Sequence, residues 1–125
     1  AEMTDRLVRA IESPSIRILG HATGRRLLQR DAYAYDFDAV ATRAAAHRVL
    51  FEINASPERL DLPSHLARVA KRKGCRFTIS TDAHRPAHLR NMSFGVITAR
   101  RGWLEAADVL NTRPIAEFED WLRRR

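Results

Sequence analysis

The chain has 125 residues, of which 45% are hydrophobic and 30% charged, and its formal net charge is +7. That length fits one domain or a piece of one. No apolar run approaches the ~18 residues that a membrane span needs, no signal-peptide pattern is visible, and a lone cysteine, Cys75, excludes a disulfide framework or a thiolate metal cluster. Arginine supplies nearly all of the positive charge, since Lys71 and Lys73 are the only lysines. Guanidinium groups fork onto phosphates, so an anionic partner such as DNA is the expectation, in a cytoplasmic setting. The basic residues are nevertheless dispersed, with short clusters at Arg25-Arg26, Lys71-Arg72-Lys73, Arg100-Arg101 and Arg123-Arg124-Arg125. An overall composition bias accounts for such dispersal equally well.

In chain order, the spacing of Leu7, Val8 and Ile11 predicts a helix from Thr4 to about Glu12, capped by Thr4 and ended before Pro14. Ile16 to Leu19 reads as a short strand leading into Gly20-His21. A loop through Arg25, Arg26 and Arg30 follows. Phe37, Val40, Ala41 and Ala44 predict a second helix from about Asp36 to His47, with acidic residues at its positive end. Val49 to Ile53 is the second strand and Asn54-Ala55-Ser56-Pro57 a turn. Pro63 opens a third helix that stops at Gly74, and Arg76 to Ser80 is the third strand. Pro86 to Arg90 predicts one helical turn, Phe94 to Val96 a very short fourth strand, and Pro114 a last helix presenting Ile115, Phe118 and Leu122. Trp103 and Trp121 read as core or interface residues. The alternation of strand and helix implies an α/β fold with parallel strands and helical crossovers.

Parallel strands gather their carboxyl ends on one rim, where α/β folds place ligands. Here those ends carry His21, then Glu52 with Asn54, then Asp82 with His84. If extended geometry persists, Thr78, Ser80, Asp82 and His84 share one side. By the same parity Leu19 with His21, and Leu50 with Glu52 and Asn54, face an inner cavity, while Ile16, Ile18, Val49, Phe51, Ile53, Phe77 and Ile79 face the helices. Carboxylate oxygen beside imidazole nitrogen suits a divalent metal. Plain alternatives stand beside this: Ser80-Thr81-Asp82 is also turn chemistry, His21 also reads as a turn histidine, Glu52 as a buried hydrogen-bonded carboxylate, and Asn54 as an Asx-turn residue. His47 and His65 read as solvated helix residues, and His88 as lying outside the site.

Several stretches carry a family resemblance. Ile18-Leu19-Gly20-His21-Ala22-Thr23-Gly24-Arg25, Glu52-Ile53-Asn54-Ala55-Ser56-Pro57-Glu58-Arg59-Leu60-Asp61-Leu62, Ile79-Ser80-Thr81-Asp82-Ala83-His84 and Thr98-Ala99-Arg100-Arg101-Gly102-Trp103-Leu104 resemble, in order, the C-terminal polymerase-and-histidinol-phosphatase (PHP) domain of bacterial family X DNA polymerases. The resemblance implies the C-terminal part of a distorted (β/α)7 TIM-like barrel, with residues 1–125 as a partial PHP domain. It implies metal-dependent phosphoester hydrolysis, as 3′-5′ exonuclease or 3′-end processing of DNA in repair, with manganese or zinc ions. By the match, His21, Asp82 and His84 are the metal ligands and catalytic residues, Glu52 and Asn54 line the cavity, and Arg25 reaches a phosphate. Ala22 stands where the family has proline, which implies a looser His21 loop. The family's opening ligand motifs are absent. The expected partners are therefore DNA, the missing N-terminal part of the domain, the polymerase domains and, through open strand edges, a second copy. Weak or absent activity is the expectation for the isolated chain. A non-catalytic basic module that binds nucleic acid or a protein, and a small-molecule phosphatase acting on substrates like histidinol phosphate, are the rival readings.

Overall fold

The computed structural model describes residues 1–124; Arg125, the last of the terminal basic run, lies outside them. Helix α1 spans Glu2–Glu12, strand β1 Ile18–Leu19, α2 Phe37–Ala46, β2 Leu50–Asn54, α3 Ser64–Arg72 and β3 Phe77–Ser80. A 3-10 turn over Pro86–Asn91 leads into α4, Met92–Arg101, and two shorter turns precede α5, Ile115–Arg123. The strands form a parallel sheet in the order β1-β2-β3. Parallel strands joined by helices are the expected α/β class and match part of a βα barrel. No helix among the described residues is long and apolar enough to cross a membrane.

The helices form because each has an apolar stripe to bury. Val40, Ala41 and Ala44 of α2 and Ala67 and Ala70 of α3 are fully buried against Phe51, Ile53 and Phe77 of the sheet, and each buried phenylalanine is worth about 1.5–3 kcal/mol. Asp36 caps α2 by accepting the Ala39 N–H at 3.0 Å. Thr4 does not cap α1. Its hydroxyl instead accepts the Asp36 N–H at 2.9 Å, tying α1 to the start of α2. Gly74 ends α3 at φ +92°, a left-handed conformation that suits glycine.

Register corrects the sequence phase of the first strand. Ile18 lies beside Leu50, Leu19 beside Phe51, and Phe51 beside Phe77. Leu19 therefore joins the helix-covered core and Ile18 the open face, the reverse of the expected assignment. A two-residue strand has too short an alternation to fix its own phase, so its neighbour sets it. The outer edge of β3 is closed without a full strand. Val109 bridges to Phe77, and the Asn111 side-chain amide accepts the Ile79 N–H at 3.0 Å and donates to its carbonyl at 2.7 Å.

The expected strand over Phe94–Val96 is helix. Gly95, Ala99 and Gly102 recur at helical spacing; Gly95 lets α4 lie close on the sheet, and Gly102 lets its end approach Ser64 and Ala67 of α3. A β-carbon at Gly95 would stand 2.4 Å from Ile79 Cγ2 and 2.9 Å from Ala55 Cβ. The tryptophans are not core residues either: Trp103 is 64% exposed, with Arg68 stacked 3.6 Å from its ring centroid, and Trp121 carries Arg48 at 3.7 Å. Replacing Gly95 with valine is expected to lower stability in a urea titration by about 1–3 kcal/mol, as overpacking against Ile79 and Ala55 requires.

Candidate active site

Loops leaving the three strands form an open cavity of about 800 Å³, lined by His21, Asp82 and His84 together with Arg26, Arg59 and His88. The imidazole from the first turn and the acid–imidazole pair from the third thus face a shared space. They reach it by turns and not by strand alternation. β3 ends at Ser80, and Asp82 adopts φ +54° while His21 adopts φ +31°. Asp82 and His84 therefore leave the side shared by Thr78 and Ser80, which face the open sheet surface beside Ile18 and Glu52.

Asp82 is held from two directions. Asn54 Nδ2 donates to its Oδ2 at 3.2 Å, and Arg59 Nε stands 3.9 Å from the same oxygen. The Asn54 Oδ1 accepts the Ser56 N–H at 3.0 Å, so the Asx-turn reading holds, while Asn54 itself is buried and supports Asp82 from behind instead of lining the cavity as expected. His84 Nδ1 lies 2.6 Å from the Asp82 carbonyl oxygen. A carbonyl only accepts, so Nδ1 is the donor of this pair, and in the neutral imidazole Nε2 keeps the lone pair. A fixed tautomer of this kind suits either a metal ligand or a proton acceptor. His88, expected outside the site, lines the cavity. Its Nδ1 accepts the His84 N–H at 3.1 Å, and Arg85 Nε lies 2.9 Å from its Nε2.

Two nominated residues act behind the cavity. Glu52 accepts the His21 N–H at 2.7 Å and the Ser80 hydroxyl, so it shapes the turn that presents His21. Arg25 does not reach the cavity: its Nε and Nη2 donate to the carbonyls of Arg59 at 2.9 Å and Leu60 at 2.5 Å. The guanidinium is a brace between loops. Arg26, the next residue, faces the cavity in its place.

Sequence reasoning passed over Asp61. It is fully buried and accepts the Thr23 N–H at 3.2 Å and the Thr23 hydroxyl at 2.8 Å. The loop that Ala22 was expected to loosen is thereby pinned. Tyr35 also donates to the Ala22 carbonyl at 2.9 Å, with its hydroxyl pKa pushed up to about 12 by burial and then by the Asp61 charge.

The donor types at the cavity suit a divalent ion, but their arrangement does not enclose one. No three His, Cys, Asp or Glu side chains among the described residues gather closely enough to hold a metal ion. These residues do not by themselves make a complete metal site.

No protein-family model matches the chain. Over 119 residues, 95% of this chain, it is 37% identical to the DNA polymerase/3′-5′ exonuclease PolX of Bacillus subtilis. The chain is thus similar to one segment of that polymerase. It spans 21% of the length of that relative. A probable phosphatase of Clostridium acetobutylicum is 34% identical over 87 residues, covering 65% of this chain and 33% of the relative.

Burial lifts the Asp61 carboxyl above its ordinary value of 3.8, outweighing the hydrogen bonds from Thr23 and the Arg25 charge that lower it. The folded protein then keeps a proton that the unfolded chain has released. The stability Asp61 contributes is full below its unfolded pKa and is lost as pH rises through the folded one. Thermal unfolding measured from about pH 4 upward is therefore expected to show Asp61→Asn gaining on the wild type as pH rises.

Proposed function

We propose that this chain forms one wall of a phosphoesterase site that hydrolyses DNA phosphodiesters at 3′ ends, within a family X polymerase and its repair function. The observation that carries the reading is the shared cavity of His21, Asp82 and His84. In such a reaction water attacks phosphorus, the bond from phosphorus to the leaving oxygen breaks, and that oxygen takes up a proton. The chain's own residues provide an oriented carboxylate at Asp82 and a lone pair at His84 Nε2, both open to solvent on the cavity wall. Manganese or zinc belongs to this reading only through the donor types of His21, Asp82 and His84, which do not gather closely enough to share one ion and would need donors from other residues to hold it.

The small-molecule phosphatase reading draws on the second relative, a probable phosphatase. A broad, open cavity with cationic walls fits a polymer substrate better than a compact one. The reading of a non-catalytic basic module predicts DNA binding that is indifferent to the cavity residues.

With manganese and 3′-end-labelled DNA, the polymerase-length protein carrying Asp82→Ala is expected to lose about 100-fold or more in exonuclease rate. An unchanged rate would remove Asp82 from the reaction. The 125-residue chain by itself is expected to turn over weakly, since its donors leave a metal open to exchange. Robust, Asp82-dependent turnover by that chain would overturn the expectation of an incomplete site. Calorimetric titration with manganese should show weaker binding in His84→Ala. Equal binding there, with salt-dependent DNA affinity unaltered, would favour the module.

A further inference from the structure

We propose that Arg59 and Arg26 are the phosphate-holding residues of the cavity, a role that nothing in the sequence match assigns to them and that Arg25 is too heavily engaged to fill. The inference rests on the phosphoesterase reading and names how that site takes its substrate.

Two guanidinium groups at the cavity keep unspent hydrogen-bond donors. Arg59 Nη1 is buried with no partner. The Nε of the same group stands 3.9 Å from Asp82, an ion pair beyond hydrogen-bond length. Arg26 donates through Nη2 to Glu58 at 2.7 Å, yet its Nε is also buried and unpartnered. Both residues line the cavity that holds His21, Asp82 and His84. Buried guanidinium donors without acceptors are costly, and a tetrahedral oxyanion is the acceptor whose geometry matches their fork.

Other arginines in the molecule provide a contrast. Arg48 and Arg68 also have a buried Nε without a hydrogen-bond partner, but each lies over an indole ring at 3.7 and 3.6 Å. Their charge already has a counterpart. Arg59 and Arg26 have no ring contact among the described residues; their unpartnered donors are buried, other parts of both side chains line the open cavity, and a rotation of the guanidinium brings the donors to it.

Charge points to the same assignment. Asp82 brings a carboxylate to the cavity, and a phosphate approaching it meets repulsion at close range. Arg59 stands next to Asp82. A phosphate oxygen on the Arg59 fork is placed within reach of the Asp82–His84 pair with the repulsion offset. Arg26, carried on the loop docked against Glu58, adds a second guanidinium beside it. Its Glu58 partner is exposed, and an exposed pair of this kind exchanges readily.

A binding experiment separates this inference from the reading beneath it. The probe is a short fluorescent single-stranded oligothymidylate, followed by anisotropy at several salt concentrations without added metal. Arg59→Gln and Arg26→Gln are each expected to weaken binding about tenfold or more and to lower the salt slope by about one. Arg59→Lys should fall between, because an ammonium is a point charge without the fork. Arg72→Gln, on the exposed end of α3, removes the same charge elsewhere and should stay within about twofold. Thermal unfolding of each variant checks folding; if Arg59→Gln fails to fold, Arg26→Gln and Arg59→Lys carry the test. Losses no greater than for Arg72→Gln, or no measurable binding by the wild type, would overturn the inference. Arginine-dependent binding without any hydrolysis in the longer protein would leave the inference standing and sink the functional reading. Hydrolysis with normal affinity in both glutamine variants would do the reverse.

Discussion

A buried carboxylate organises the cavity rim. Asp61 pairs through its backbone with Asn54 in both directions, at 2.6 and 3.2 Å, which folds the loop after β2 back onto the strand end. Its side chain then grips Thr23 on the loop after β1. Asn54, fixed by that pairing, turns its amide onto Asp82 in the loop after β3. One relay, Thr23–Asp61–Asn54–Asp82, thus ties all three strand exits together. Burying Asp61 this deeply raises the cost of its ionised form, and the hydrogen bonds from Thr23 recover part of it. Without the relay, the first loop would have little to hold His21 opposite Asp82.

A second relay runs along the open face of the sheet. Glu52 accepts from both the His21 backbone and the Ser80 hydroxyl, so a carboxylate in mid-sheet fixes the turns on both sides of it. Gly20 belongs to this arrangement, since a β-carbon there would stand 3.3 Å from Glu52 Oε2. Neither Glu52 nor Arg25 works at the cavity surface. Each sets the shape of a loop that another residue uses, and in that sense the support around the site is as built as the site itself.

The electrostatics show why a dispersed positive charge still has local meaning. Arginines distributed along the chain fold into different environments. Arg25 is spent on backbone carbonyls, and Arg48 and Arg68 on indole rings. Arg26 and Arg59, thirty-three positions apart in sequence, come together only because loop 24–30 docks on loop 56–60, where Leu27 N–H donates to the Glu58 carbonyl at 2.7 Å. The cationic side of the cavity is a product of that docking and of no cluster in the sequence.

Periodicity and capping in the amino-acid sequence determined the helix–strand alternation, the parallel sheet and the position of His21, Asp82 and His84 after strand ends, because these follow from local backbone preference and from the rule that parallel strands end on one rim. The motifs also carried the family resemblance. What the tertiary structure decided was phase, partnership and role. The register of a two-residue strand came from Leu50 and Phe51 beside it. The fate of Phe94–Val96 came from the close packing of Gly95 on Ile79 and Ala55, although Gly95, Ala99 and Gly102 already carried a helical spacing. Arg25 was set apart from Arg26, and His88 drawn in, by hydrogen bonds formed across turns and loop contacts. A left-handed residue at a strand end redirects every side chain after it, and single-chain parity has no term for that change.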